Sequence, residues 1–309
     1  MVLYCLIDKE TRDCVRDMVM AFNPKYVVIF ALLAAVGCAQ SGAERGKIAA
    51  EQALLVAEGA ELGDARWLDA RALAQEAVDA DAGLTVSMAG VIGRSLVLGP
   101  DNETRAVDAE AYLVQGLAED VRLHWLLAKG YDNGWYGEID KARACEHFLA
   151  ASNEAKLNGA YWPTALCFLN GTGVAQDADA AFAWMSKSAE AGDQSGMVSL
   201  AVLYATGQGT DKDLNQASTW YETAIRTAGP NRAQALRGLG AMHLFELEDG
   251  IQQRGYALLE LAGDEGDAVA KRLLTRVDAL DETQRKAVNV QKAFLTNFYK
   301  LDVDELTDG

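Results

Sequence analysis

The sequence predicts an all-α solenoid of stacked helical hairpins, and three observations lead there. One pattern is written twice between residues 160 and 229: Gly171 and Gly207, Gly173 and Gly209, Asp177 and Asp213, Ala181 and Ala217, and Trp184 and Trp220 are each 36 apart. A fixed period of this size marks a chain that grows by adding units, so 309 residues set a repeat number and not a domain count. Within the later copy, Met197, Leu200, Ala201 and Tyr204 fall at helical spacing, and Ala217, Trp220, Tyr221 and Ala224 do so again. Finally, the text is alanine-rich with only four prolines.

Each copy therefore reads as two helices with one apolar stripe apiece. Gly207 and Gly209 can take the positive φ that ends the first helix, and Asp211 or Asp213 can cap the second. A hairpin with two stripes cannot bury both alone and must stack on its neighbours. The small residues Ala165, Ala181, Ala201 and Ala217 mark close helix approaches, and Trp184 and Trp220 are expected to fill the gap to the next repeat.

The stretches "ALCFLNGTG…D…AAFAWMSKSAEAG" and "LAVLYATGQG…D…QASTWYETA" resemble the Sel1-like repeat, a relative of the tetratricopeptide repeat. The resemblance implies a right-handed superhelix that works by binding a protein or peptide. Some family members are named as hydrolases acting on β-lactams or peptidoglycan, but those carry a disulfide across each helix pair. Here the corresponding positions hold Ala189 and Met197.

From the start of the chain, residues 1–37 read as a signal peptide with its apolar core at Tyr26 to Gly37, a 12-residue run too short to span a bilayer. Mixed charge in residues 1–17 suits a start at Met18 or Met20 better than at Met1. The sequence Ala35-Val36-Gly37-Cys38 is similar to a bacterial lipobox, which implies an acylated Cys38 and contact with a membrane through that anchor alone; ordinary signal cleavage before Cys38 is the other reading. Ala39 after the cysteine implies, by the same resemblance, an outer-membrane lipoprotein facing the periplasm, the alternative being a soluble periplasmic protein. Residues 38–47 read as a flexible tether.

Residues 48–105 read as a divergent N-terminal repeat or cap, residues 106–270 as Sel1-like repeats, and residues 271–309 as C-terminal capping helices with an acidic tail. An earlier copy places Tyr131, Gly134, Gly137, Asp140 and Phe148 in family order; Gly134 to Gly171 is 37 but Phe148 to Trp184 is 36, which suggests one extra residue in its loop. The copy after Pro230 has lost the paired glycines. In the tail, Ala287, Val290, Phe294 and Leu301 are expected on one packed face behind a cap at Asp281.

Charge and chemistry are mostly excluding. The formal charge of −17 is carried by the part after residue 37, where acids and bases before it balance, so nucleic-acid binding is not expected. The three histidines, His124, His147 and His243, assemble no recognisable metal or nucleophile motif, so no enzyme, cofactor or metal site is expected, and His243 reads as a core residue. Two aromatic groups, Trp135 with Tyr136 and Tyr161 with Trp162, stand where neighbouring copies have none; they are either packed beneath a loop or candidates for partner contact. Glycan binding through them is a further alternative. Cys145, aligned with Ala181, and Cys167, aligned with Leu203, are either buried small hydrophobes or a disulfide.

Overall fold

The computed structural model describes residues 42–307, leaving aside positions 59, 62, 81–84, 100–101, 246–251 and 277–279. The signal segment and Cys38 lie outside the described residues. All regular structure among the described residues is helical: fourteen α-helices and one short 3₁₀ turn, Asn158–Ala160. The chain divides into two compact units, residues 1–156 and 157–309.

Unit 1 holds α1 (Gly42–Ala57), α2 (Arg66–Ala80), α3 (Thr85–Leu98), α4 (Asn102–Gly116), α5 (Leu123–Asn133) and α6 (Lys141–Asn153). They pack as sequential pairs, α1 with α2, α3 with α4 and α5 with α6, each pair resting on the next. Because α1 starts at Gly42, residues 42–47 of the expected tether are helical: Ala49, Ala50 and Ala53 continue the same helix and bury its inner side.

Unit 2 holds α7 (Tyr161–Asn170), α8 (Ala178–Glu190), α9 (Gln194–Thr206), α10 (Leu214–Arg226), α11 (Arg232–Phe245), α12 (Gln252–Asp264), α13 (Ala268–Leu274) and α14 (Glu282–Thr307). Three hairpins follow one another, and α13 and α14 pack on α12. Helix α9 contacts α8, α10 and α11 and buries Met197, Val198, Leu200, Ala201 and Leu203. Burial on so many sides is why its sequence is apolar nearly all round.

The repeated turn has the expected chemistry. Gly134, Gly171 and Gly207 close α5, α7 and α9 in the left-handed conformation, with φ of 73°, 67° and 71°. Six residues on, Asp140, Asp177 and Asp213 cap α6, α8 and α10, each carboxylate accepting from a backbone N–H of the first turn. The backbone N–H of each of these aspartates also donates to a carbonyl nine residues earlier, on Tyr131, Phe168 and Tyr204. Of the two capping alternatives, Asp213 serves. Ala165, Ala181, Ala201 and Ala217 are fully buried, and Gly209 lies so close to the Ala178 carbonyl that any Cβ would overlap it.

Three expectations are corrected. Trp184 and Trp220 are half-buried and flank the core, while the next residues, Met185 and Tyr221, are buried in it. The stripes run Ala181, Met185, Ser188, Ala189 and Ala217, Tyr221, Ala224, Ile225, spacing that leaves each tryptophan on the edge. Second, the extra residue is not in the inter-helix loop, because Gly134 to Asp140 and Gly171 to Asp177 are the same length. Buried Phe148 therefore aligns with buried Met185 and not with Trp184, Cys145 aligns with Phe182, and the extra residue falls after α6. Third, α14 buries Val288, Leu295 and Tyr299, whereas Ala287, Val290 and Phe294 are exposed, and the Leu301 side chain lies outside the described residues. Asp281 does cap it, in a reciprocal pair with Gln284 at 2.8 and 2.9 Å.

Candidate functional site

Unit 1 carries an open groove of about 960 Å³. Its floor is α3, whose Ile92 and Leu96 are buried beneath it. One wall is α2, contributing Leu68, Ala72 and Arg71; the other is α4, contributing Glu110, Ala111 and Val114. Leu68 and Val114 are exposed on facing walls. The groove is thus of mixed character, its aliphatic side chains interrupted by Arg71, Gln75, Glu110 and Tyr112.

Glu110 also lines a smaller, polar hollow of about 360 Å³ with Tyr131, Tyr136 and Arg143. The Tyr131 hydroxyl donates to Glu110 Oε1 at 2.5 Å, and the Arg143 guanidinium lies over the Tyr131 ring at 5.4 Å. Burial, then the Glu110 bond, holds the Tyr131 phenol above its ordinary range. Behind Tyr131, the His147 ring stacks on it at 5.6 Å and 4°. His147 Nδ1 meets His124 Nδ1 at 2.7 Å. Burial lowers both imidazoles, and the adjoining His124 and Arg143 help take His147 down to about 4. This aromatic and imidazole stack, shared between α5 and α6 with Glu110 of α4 bonded to its tyrosine, is invisible to motif reading because its members are scattered by helical spacing.

The four aromatic candidates are placed differently. The Tyr136 ring lies on Gly130, where any Cβ would overlap it, and its hydroxyl donates to the Leu126 carbonyl at 2.9 Å. Burial raises that phenol well above the ordinary tyrosine range. Tyr136 is therefore packed beneath its loop; it lines the small hollow, whereas Trp135, half-buried, lines neither hollow. In unit 2, Trp162 Nε1 donates to Ser199 Oγ at 3.1 Å, tying α7 to α9, and Tyr161 rests against Trp184 at 5.6 Å. Lys187 Nζ lies 3.7 Å from the centre of the same indole.

Three other residues complete the account. His243 is buried with neither ring nitrogen hydrogen-bonded among the described residues, and burial, with Arg254 nearby, pushes it down to about 4, as a core histidine. Cys145 and Cys167 are both buried and both disulfide-bonded. Among the described residues no group of three or more His, Cys, Asp or Glu side chains is placed to hold a metal ion, and no helix is long and apolar enough to cross a membrane.

Comparison with known proteins agrees with the hairpin architecture. Residues 123–155, 160–193, 194–226 and 233–267 match the Sel1 repeat, the last being the copy without paired glycines. The crystal structure of c5321, a protective antigen present in uropathogenic Escherichia coli strains and displaying an SLR fold, is similar over 96% of the chain at 14% identity and a TM-score of 0.62. The chain spans 64% of that protein's length. A Sel1 repeat protein from Oxalobacter formigenes matches over 84% of the chain and 95% of its own length, at 16% identity and a TM-score of 0.49. No curated protein matches.

Proposed function

We propose that this chain, four stretches of which match the Sel1 repeat, is a scaffold that binds a peptide or protein segment in the groove of unit 1, in the cell envelope outside the cytoplasm. The observation that carries the binding role is the facing pair of exposed apolar side chains, Leu68 and Val114, over a trough floored by Ile92 and Leu96. Exposed leucine and valine on opposite walls of one groove are covered when an apolar segment lies between them.

The location reading rests on two supports. The cysteines at 145 and 167 are disulfide-bonded, a state that persists in oxidising compartments. The sequence ahead of Cys38 resembles a lipoprotein signal, so the scaffold is anchored by acyl chains on that cysteine and faces the periplasm. The protein acts by binding and not as an enzyme.

A peptide-display library selected on the unaltered protein tests the binding role. Selected apolar peptides should lose at least tenfold in affinity against Leu68→Asp and against Val114→Asp, with melting unchanged. Retained affinity in both variants would refute the groove. Separately, Cys38→Ala should move the protein out of the membrane fraction; unaltered protein lacking acyl mass at its N-terminus would refute the anchor.

A further inference from the structure

Two helices carry large apolar side chains on faces that their own units do not use. Helix α14 is held against α10 and α12 by Val288, Leu295 and Tyr299, and leaves Val290 and Phe294 72% and 58% exposed. Helix α1 is held by Ala49, Ala53 and Val56, and leaves Leu54 and Leu55 49% and 53% exposed. These are the first and last described helices.

The charges beside the two faces are opposite. On a chain of net charge −17, residues 282–299 carry three bases, Arg285, Lys286 and Lys292, against one acid, Glu282. Arg285 is held by Glu260 of α12 at 2.6 Å, and Lys292 by Asp264 at 2.7 Å, which leaves Lys286 as the exposed base beside Val290. Its bond to Glu282 at 2.7 Å joins two highly exposed side chains and is cheaply exchanged. On α1 the exposed leucines lie between exposed Glu51 and Glu58, neither of which has a salt bridge among the described residues.

The spacing sets a register. Lys286 precedes Val290 by four residues, and Glu58, the turn residue just after α1, follows Leu54 by four and donates its N–H to the Leu54 carbonyl at 3.0 Å, so each step is about one helical turn, a rise of about 6 Å. Laid antiparallel, α14 and α1 bring Val290 onto Leu54 and Leu55 with Lys286 at Glu58. Phe294 then continues along the same helix toward Glu51, and Lys47 falls beside Asn297, away from Lys286. Like pairs fit less well. Two α1 helices joined antiparallel through their leucines oppose Glu51 to Glu58 twice, and two α14 helices joined Val290 to Phe294 give neither Lys286 an anion.

We infer that copies of this chain associate head to tail, α14 of one copy seating Val290 on Leu54 and Leu55 of α1 of the next, with Phe294 running on along that helix toward Glu51 and Lys286 facing Glu58. A contact between unlike faces that does not close into a ring leaves each joined pair with one free face of each kind, so assembly proceeds beyond a dimer as concentration rises. A single helix on a single helix is a small interface, with dissociation constants on the order of micromolar.

Analytical ultracentrifugation of the full chain tests this. The weight-average mass of the unaltered protein should rise through about 100 µM and pass that of a dimer, well above the micromolar range expected for so small a contact. Phe294→Glu alone and Leu54→Lys alone should each remain at the mass of one chain, with unchanged helical circular dichroism. Mixed in equal amounts, the two variants retain one intact face each and should form one-to-one dimers and nothing larger. A monomer at every concentration, self-association retained by either variant, or a mixture that stays monomeric would each overturn the inference.

Discussion

His124 and His147 present Nδ1 to Nδ1 at 2.7 Å, so one ring must donate and the other accept, and a proton added to the acceptor breaks the bond. Burial holds both rings neutral, with His147 at about 4 and buried His243 also at about 4, against an ordinary 6.5. A histidine lowered in the fold contributes stability that is complete above its unfolded value and is lost as pH falls toward its folded value. Denaturant unfolding should therefore show stability decreasing from pH 6.5 to 4. His243→Leu should narrow the difference between pH 7 and pH 4.5, since that ring alone accounts for on the order of 2 to 3 kcal/mol.

The place of Tyr136 over Gly130 makes it a packing residue, and that decides the outcome of a melt. Tyr136→Ala should cost about 2 to 4 kcal/mol through the lost ring. Tyr136→Phe should cost about 1 kcal/mol, for the bond to Leu126.

The tryptophans and their neighbours should separate in the same assay. Tyr221→Ala, at a buried position, should cost about 3 to 5 kcal/mol. Trp220→Ala, at the half-buried position beside it, should cost less than half as much. Equal losses would mean that the edge of the stripe is as well packed as its centre.

Gln194 is a residue that no motif marks. It is buried; its Nε2 donates to the Ala224 and Thr227 carbonyls at 2.8 and 2.9 Å, and its Oε1 accepts from the Asn231 backbone at 2.7 Å. One amide thus satisfies three groups at the end of α10 and the start of the next hairpin. Gln194→Leu leaves them unmet and should cost about 2 to 3 kcal/mol by chemical denaturation.

The cysteines can be read directly by mass. In the unreduced, denatured protein neither Cys145 nor Cys167 should take up an alkylating reagent. Their tryptic fragments should run as one linked species until reduced.

What sequence could show was whatever is local. Gly171, Gly207, Asp177 and Asp213 act within one turn, so their spacing announced both the hairpin and its caps. Where a side chain must choose between two adjacent residues for the core, local pattern was not enough: tryptophan's size drew the alignment to Trp184, although Met185 is buried and Trp184 is not. On α14 the stripe of Ala287, Val290 and Phe294 has good helical spacing, but periodicity says only that a face is apolar and not what lies against it. The groove of unit 1 draws on three helices and was beyond reach for the same reason.

The bonds from the N–H of Asp140, Asp177 and Asp213 to the carbonyl nine residues earlier close these three turns inside their own repeats. A duplication or deletion of about 36 codons thus adds or removes a hairpin with its bend already complete, and only the seams on either side need to adapt.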